Sequence, residues 1–470
     1  MSLKRTSSSC VIVACAFFLA LGGCAHYPVN GPHTSDRPAP RYQFAQQADG
    51  LNTDSLFICL AFSGGGTRAA ALSYGVLDKL RQTRITWKGV EKSLLDEVDC
   101  ISSISGGSFT AAYYGLFGDR IFQEFRPKFL DVNIQRALLW RLFNPINWVR
   151  LASPYFNRID LAAEYYDEHL FEGKTFAALA QPARRPFVIV NATNMVNGER
   201  FEFTQEQFDF LASDLNGYPV ARAAAASSAF PFLLSPITLK NYPHVDFRPP
   251  KDYQEGLQDY DDNRRRYYWA KNRMMYVDDE QYPYLHLMDG GLSDNIGLRP
   301  IEAAYRRTSG FIRRLINEGK IEKFVIIVVN ARTVEKDTLS RSESPPGILT
   351  VASKTATIAM ENYSVETIET MKELRLERMK AQKTLAACQK RLEQCPGSTP
   401  LPAFATTIDP YVIEVNFEAL REPSRRDYFQ SLPTSFALTG EQVDALIHVG
   451  PQLLEESPDY REFLENLAIP

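Results

Sequence analysis

The fold of this chain is decided by the stretch Val98-Asp99-Cys100-Ile101-Ser102-Ser103-Ile104-Ser105-Gly106-Gly107. Its pattern predicts a short apolar strand followed by a helix over residues 108–116. Small residues on both sides of Ser105 allow a sharp strand-to-helix turn, which would place the serine hydroxyl over a helix N-terminus. The usual pattern of such a nucleophile elbow is Gly-x-Ser-x-Gly, and here Ser103 replaces the first glycine. Taken alone, the stretch fits a plain connection as well as a catalytic serine.

An upstream strand and turn predict an anion-binding loop. Residues 56–62 form an unbroken apolar run of strand length, and residues 63–68 read Ser-Gly-Gly-Gly-Thr-Arg before a helical pattern begins. Three glycines here would leave N–H groups unshielded beside a helix start; they are Gly64, Gly65 and Gly66. A P-loop is excluded because no Gly-Lys-Ser/Thr follows, and Ala69 in place of a final glycine disfavours a dinucleotide site. An oxyanion hole is the interpretation that also needs a nucleophile, and Ser105 supplies one.

A third predicted strand ends in an acid. Residues 284–291 read Tyr-Leu-His-Leu-Met-Asp-Gly-Gly, so Asp289 stands on a glycine turn. An aspartate before two glycines is by default turn chemistry, but the carboxyl end of a buried strand in an open α/β sheet is where such folds place their sites. The only histidine after Asp289 is His448, on a predicted helix. A Ser-Asp dyad therefore fits this sequence better than a Ser-Asp-His triad.

Taken together, these motifs resemble the patatin-like phospholipases. The shared features are the glycine loop at 64–68, the serine turn at 103–107, the Asp-Gly-Gly turn at 289–291, and the Ala/Ser-rich run 221–231 that ends in proline. The resemblance covers about residues 56–300. It implies an α/β fold of three α/β/α layers with a mostly parallel central sheet, and a dyad in which Ser105 is the nucleophile and Asp289 its base. It also implies that the glycine loop forms the oxyanion hole. Ser103 and Ala69 depart from the family pattern, and neither removes a reacting group.

Other residues of the predicted site have supporting roles. Desolvation by apolar neighbours would raise the pKa of Asp289 and make it a better base. Arg68 is expected to orient the glycine loop or to meet a lipid phosphate, with a structural salt bridge as the alternative. The acid turn is expected to be supported by Gly290, Gly291 and Asn295. The mechanism needs no cofactor and no metal, and the sequence contains no metal-binding motif.

The N-terminus predicts a lipoprotein. Lys4 and Arg5 precede the apolar run 11–21, which is too short to span a bilayer and has the length of a signal-peptide core. The run ends in Leu21-Gly22-Gly23-Cys24, which resembles the bacterial lipobox; the alternative is an ordinary cleaved signal. We therefore expect residues 1–23 to be a signal peptide and residues 24–53 to be a flexible tether. Cys24 is expected to carry the lipid anchor, which would include palmitate. The non-acidic residue after Cys24 indicates the outer membrane, facing the periplasm.

The rest of the chain predicts one catalytic domain with additions. That domain is expected over residues 54–335, with residues 241–282 as a lid insertion or a solvated loop, and residues 336–470 as a helical extension with one added strand. Residues 137–150 mix aromatic, aliphatic and arginine side chains, which fits an interfacial segment or a packed core helix. Two cysteines in predicted strands, Cys59 and Cys100, are expected to be inert packing. A disulfide between Cys388 and Cys395 is a hypothesis that requires the helix to break between them. A straight helix would separate their α-carbons by about 10.5 Å, which is beyond bridging distance.

The predicted function is that of a membrane-tethered serine acyl hydrolase that acts on phospholipid or a related acyl ester. The net charge of −4 gives no indication of a nucleic-acid partner, and no protein partner is predicted. Two alternatives remain at this point. One is an acyltransferase with the same dyad, and the other is a non-catalytic outer-membrane lipoprotein that acts as a binding or assembly factor.

Overall fold

The computed structural model describes residues 25–33, 40–47, 52–181, 185–231, 233–245, 247–333, 339–392, 394, 408 and 410–468. The predicted signal peptide and the predicted acylation site, Cys24, lie outside these residues. So does Cys395, and the bridge to Cys388 therefore stays a prediction; Cys388 itself is exposed near the end of a long helix.

The described part of the predicted flexible tether is packed on the domain. Tyr42 and Phe44 are buried, and Gly31 is paired to Asp214, so that assignment is wrong for these residues.

One sheet of eight strands forms the centre of the described fold, in the order β12-β11-β2-β5-β6-β10-β9, with β7 paired to β6. The strands are β1 Gly31–Pro32, β2 Leu56–Phe62, β3 Arg84–Trp87, β4 Val90–Ser93, β5 Val98–Ile104, β6 Phe187–Asn194, β7 Arg200–Glu202, β8 Ser213–Asp214, β9 Ile237–Lys240, β10 Tyr284–Asp289, β11 Lys323–Asn330 and β12 Pro410–Asn416. The neighbours from β12 to β6 run parallel. Strands β2, β5 and β6 are buried along their whole length, so both sheet faces are covered, and the predicted α/β fold class is confirmed.

Helices follow the strands in the pattern that the sequence predicts. They are α1 Thr67–Gln82, α2 Gly106–Phe117, α3 Ile134–Phe143, α4 Pro145–Leu151, α5 Arg158–Tyr166, α6 Phe176–Leu179, α7 Gln205–Asp209, α8 Val220–Ser227, α9 Lys251–Gly256, α10 Arg264–Met274, α11 Gly291–Asp294, α12 Arg299–Arg306, α13 Phe311–Asn317, α14 Ile348–Leu392, α15 Pro423–Gln430, α16 Gly440–Glu456 and α17 Pro458–Ala468. Among the described helices, none is long and apolar enough to cross a bilayer.

The strand that carries the acid is antiparallel within a sheet that is otherwise mostly parallel. Strand β10 is antiparallel to both of its neighbours, β6 and β9. Asp289 lies opposite Ala192 of β6, whereas Ile104 of β5 lies opposite the preceding residue, Asn191. Because β6 continues past the end of β5, β10 can return along it and stop at the height of Ser105. The antiparallel direction therefore brings the two predicted residues to one level of the sheet.

The two buried cysteines are bonded, so their assignment as inert thiols is wrong. Cys59 of β2 and Cys100 of β5 are register partners, and they form a disulfide with α-carbons 4.6 Å apart. That spacing lies at the short end of the range for disulfides. The bond links the strand before the glycine loop to the strand before the serine turn.

The C-terminal part is built into the same sheet. Strand β12 pairs in parallel with β11 and forms the sheet edge, where the alternating pattern of its residues predicts an edge strand. Helix α16 packs along α1, and its Ile447 backbone lies so close to Gly75 that a Cβ there would be 3.0 Å from the Ile447 carbonyl carbon. This part of the chain thereby supports the helix that begins at the glycine loop.

Candidate active site

Ser105 sits on a strained turn between β5 and α2. Its φ of 47° and ψ of −119° lie in a region that L-residues rarely adopt, and it is 8% exposed. Strain at a serine between a strand and a helix is the geometry of a nucleophile elbow. Ser103 does not disturb the turn, because it is buried and donates to the Ile189 carbonyl at 3.3 Å.

The structure brings Ser105 and Asp289 together. The Ser105 hydroxyl hydrogen-bonds the Asp289 carboxylate, which is 3% exposed and accepts the Gly291 N–H at 2.8 Å. Burial raises the pKa of Asp289 from 3.8 to about 7, and the two hydrogen bonds only partly oppose that rise. A carboxyl group with this pKa can both take and return a proton near neutral pH.

The backbone of the acid turn is held from several sides. The N–H of Asp289 donates to the Ala229 carbonyl at 3.0 Å, and the N–H of Gly290 donates to the Ser227 carbonyl at 3.1 Å. The Thr193 hydroxyl donates to the Asp289 carbonyl at 2.8 Å. The carboxylate of Asp289 is therefore aimed by backbone contacts as well as by its own strand.

A second acid, Asp294, holds the backbone of the segment that follows the acid turn. Asp294 is buried and accepts backbone N–H groups from Ile296, Gly297 and Arg299 at 3.2, 3.1 and 2.9 Å. This bracing fixes the chain at Asn295, which joins the acid turn to the glycine loop.

Gly64 has a different role from the predicted one. Its N–H donates to the Asn295 carbonyl at 2.9 Å, so it is not free to bind an oxyanion, and its assignment as an oxyanion donor is wrong. A Cβ at Gly64 would lie 2.5 Å from Asn295 Oδ1, and one at Gly291 would lie 2.8 Å from the same atom. The Asn295 side chain thus fills the space between loop and acid turn, which only glycines leave open.

The other two glycines have N–H groups without an acceptor among the described residues. Gly65 and Gly66 have φ values of 137° and 61°, which favour glycine. The loop lies directly on the serine turn: a Cβ at Gly106 would be 2.7 Å from the carbonyl carbon and from the nitrogen of Gly66. Unpaired amides therefore lie beside the serine, where an oxyanion would form.

Arg68 orients the loop and has neither of its other two predicted roles. It is buried, and its guanidinium donates to the Ala331 carbonyl at 2.9 Å, the Leu432 carbonyl at 2.7 Å and the Thr434 hydroxyl at 2.9 Å. Burial lowers its pKa to about 10. These contacts tie the start of α1 to the end of β11 and to the C-terminal segment, and they leave the guanidinium no access to a lipid phosphate.

Ser227, at the end of α8, is a positioning residue that the sequence analysis missed. Its hydroxyl accepts the Ser105 N–H at 2.8 Å and lies 2.9 Å from the Ser108 hydroxyl, while its carbonyl accepts from the acid turn. One residue therefore contacts both Ser105 and Gly290, the residue after Asp289. The sequence feature that could have indicated it is the Ala/Ser-rich run 221–231. This run lies between the serine and the acid in the family pattern, and no role was assigned to it.

All six histidines are described, and each contacts a group outside the dyad. His448 contacts the Asp444 carbonyl at 2.6 Å, and His286 contacts the Thr238 hydroxyl at 3.0 Å on the exposed face of β10. The other four contact residues of the surrounding loops and helices. Within the described residues, then, the serine has an aspartate as its partner and no histidine, and no group of three metal-binding side chains is found.

The long helix α14 lies against the acid turn, whereas the predicted lid lies beside a cavity that is not lined by the dyad. A Cβ at Gly291 would collide with Met360 Cε, so the long helix α14 crosses this turn. The predicted lid, 241–282, forms α9 and α10 and is pinned at its base, where the Asn241 amide donates to the carbonyls of Tyr276 and Tyr282 at 2.8 and 3.0 Å. It borders a charged cavity of about 920 Å³ that neither dyad residue lines. Its role as a lid stays a prediction.

One family model and several solved structures match the chain. The family model described as patatin-like phospholipase matches residues 60–305, and no curated protein matches the chain. Among solved structures, human GIVD cytosolic phospholipase A2 is similar at 15% identity and a TM-score of 0.43, over 88% of this chain and 62% of its own. VipD from Legionella pneumophila is similar at 12% identity and a TM-score of 0.32, over 92% and 72%. The chain thus spans about three fifths of the human protein.

Proposed function

The chain belongs to the patatin-like phospholipase family, and from this premise we propose that it is a lipolytic acyl hydrolase with Ser105 and Asp289 as its catalytic dyad. The observation that carries the proposal is the hydrogen bond from the Ser105 hydroxyl to a buried carboxylate of raised pKa, beside unpaired loop amides. Phospholipid or a related acyl ester is the proposed substrate.

The proposed reaction has two steps. In the first, Asp289 takes the hydroxyl proton of Ser105 as its oxygen attacks the ester carbonyl, and the Gly65 and Gly66 N–H groups bind the oxyanion. The C–O bond then breaks, and Asp289 returns the proton to the leaving alcohol. In the second step, Asp289 takes a proton from water as the water oxygen attacks the acyl-serine. The bond from the acyl carbon to Ser105 Oγ then breaks, Asp289 returns the proton to Ser105, and the fatty acid is released. An acceptor alcohol in place of this water would give acyl transfer with the same residues.

The pKa of Asp289 supports its role as the base. A carboxyl group with an ordinary pKa near 4 is a weak base for a serine hydroxyl. Burial raises this pKa to about 7, which strengthens the base while leaving it ionised in about half of the molecules at neutral pH. The same value lets the protonated form act as the acid when the alcohol leaves.

Membrane anchoring is a separate part of the proposal. We propose that Cys24 is acylated and that the protein lies in the bacterial cell envelope, at the outer membrane facing the periplasm. The lipobox-like sequence supports the anchor, and the buried Cys59–Cys100 disulfide is typical of an oxidising compartment. Labelling of cells with an alkyne palmitate analogue should mark the chain, and Cys24→Ser should abolish the label. An equal label in both would remove Cys24 as the site.

The catalytic proposal is tested with two matched serine variants. Ser105→Ala removes the proposed nucleophile, whereas Ser73→Ala removes a buried hydroxyl that has no hydrogen-bond partner among the described residues. With short-chain nitrophenyl esters and then phospholipid vesicles, we expect wild-type turnover from Ser73→Ala and none above background from Ser105→Ala. Equal turnover by Ser105→Ala would exclude it as nucleophile. No turnover by the wild type would favour the binding or assembly alternative.

A further inference from the structure

Helices α3 and α4 form a helical hairpin, residues 134–151, that exposes five large apolar side chains. Trp140 is 69% exposed, Phe143 66% and Ile146 70%, and Leu139 and Trp148 are more than half exposed as well. Soluble proteins rarely expose contiguous large apolar groups in this way, and such patches mark contact surfaces. The alternative reading of this segment as a packed core helix is therefore wrong.

Capping and inter-helix hydrogen bonds hold the hairpin together although its apolar face is exposed. Asn133 caps α3 by accepting the Arg136 N–H at 2.8 Å, and Asn144 caps α4 by accepting the Ile146 N–H at 3.0 Å. The Asn147 amide donates back to the Arg141 carbonyl at 2.8 Å, which fixes the second helix to the first. The exposed side chains therefore belong to a folded element with its own hydrogen bonds.

The charge of the hairpin is of one sign. From residue 132 to residue 159 the chain has no acidic residue and four arginines. Arg141 and Arg150 pair with Glu168 and Glu164 of the neighbouring segments, whereas Arg136 and Arg158 are exposed and make no ion pair within the described residues. Aromatic and aliphatic groups together with arginines are the composition of an element that lies in the interface of an anionic bilayer.

The start of the described chain is docked beside this hairpin. The Ser153 hydroxyl donates to the Ala25 carbonyl, the Tyr27 N–H donates to the Tyr155 carbonyl at 2.8 Å, and the His26 ring stacks on Tyr155 with centroids 5.1 Å apart. Ala25 is bonded to Cys24. A lipid on Cys24 would therefore leave the protein within a few residues of the exposed apolar face.

We propose that the hairpin 134–151 is the surface by which this protein contacts an anionic lipid bilayer, with the chain start next to it fixing the anchor on the same side. The proposal deepens the proposed function, on which it rests for the bilayer as the place of the substrate. An interfacial element adds membrane affinity in proportion to the apolar area that it buries and to its attraction to anionic lipids.

The test measures binding without catalysis and without the anchor. The described contacts begin at Ala25, so a chain from Ala25 to Pro470 keeps them, and Ser105→Ala prevents lipid turnover. Partition into vesicles of phosphatidylcholine with phosphatidylglycerol should exceed partition into phosphatidylcholine alone, and it should weaken as salt is raised.

The decisive variant carries Trp140→Ser, Phe143→Ser and Ile146→Ser. Loss of the apolar area that these three groups would bury should lower the partition coefficient about 100-fold. Tyr428→Ser is the matched control, because Tyr428 is an exposed aromatic residue on α15, and it should partition like the parent. With Ser105 restored, the triple variant should hydrolyse soluble short-chain esters like the wild type, which shows that it folds.

Three results would overturn the inference. The first is equal partition by the triple variant and its parent, and the second is an equal loss in Tyr428→Ser. The third is a lipid-free dimer that the triple variant abolishes, which would assign the face to a second copy of the chain. Failure of ester turnover in the wild type would remove the proposed function alone, because binding is measured on Ser105→Ala.

Discussion

Replacement of Asp289 by asparagine should stabilise the folded chain at high pH while it abolishes activity. The carboxyl group is buried, and burial raises its pKa from 3.8 to about 7. An amide of the same shape can keep the Gly291 N–H as a donor to its oxygen, and its NH₂ group can donate to Ser105. Asp289→Asn therefore removes the charge and leaves the contacts.

The size of the effect follows from the pKa. At about 1.4 kcal/mol for each pH unit, the rise from 3.8 to about 7 corresponds to about 4 kcal/mol. Between pH 4 and pH 7 the unfolded chain ionises Asp289 while the folded chain keeps it protonated, so the wild type loses stability as pH rises. Below about pH 4 both states are protonated and this contribution vanishes, and above about pH 7 it is constant.

The assay is guanidinium unfolding of the oxidised protein at pH 4.5 and pH 8.5. At each pH we take the free energy of unfolding of the variant minus that of the wild type. This difference should be about 3 to 4 kcal/mol larger at pH 8.5 than at pH 4.5. Taking the difference cancels every other titrating group. Asp119→Asn is the control, because Asp119 is exposed, and it should change little at either pH. A difference for Asp289→Asn that does not vary with pH would refute the buried, raised-pKa carboxyl.

Three further predictions concern the machinery around the dyad. The value of kcat/KM should fall about tenfold per pH unit below pH 7 and be level above it, because Asp289 must be ionised to act as base; a profile level down to pH 5 would contradict this. Ser227→Ala should lower kcat about 10- to 100-fold with KM little changed, because the Ser105 N–H loses its acceptor. Ser73→Ala should leave kcat unchanged, and a change in KM alone for Ser227→Ala would point to another role. Gly106→Ala should lower kcat at least about 100-fold, because the added Cβ would displace Gly66. Gly217→Ala should leave kcat unchanged, because a Cβ there meets nothing within 4 Å; equal rates for the two variants would show that the loop tolerates displacement.

The sequence predicted the local parts of this fold because each is a short-range pattern. An apolar run followed by small residues and a helical period is enough to place Ser105 on a turn, and a glycine run is enough to place a loop before α1. The structure has both turns where the pattern puts them. The helical hairpin was identified as a candidate for the same reason, from its mixture of aromatic residues and arginines.

The parts that the sequence did not predict depend on pairing between distant segments. The direction of β10 and the Cys59–Cys100 bond follow from strand register, which one strand's residues do not reveal. The role of Gly64 depends on a carbonyl of Asn295, far along the chain. Ser227 could be found only once its helix end was seen to lie between both turns.

The most direct test of the proposed dyad is covalent labelling by an alkyl fluorophosphonate, with the modified residue identified by mass spectrometry. We expect a single adduct on Ser105, a labelling rate that rises with pH through about 7, and a rate at least about 100-fold lower in Asp289→Asn. An adduct on any other residue, or an Asp289→Asn variant that reacts as fast as the wild type, would contradict the account.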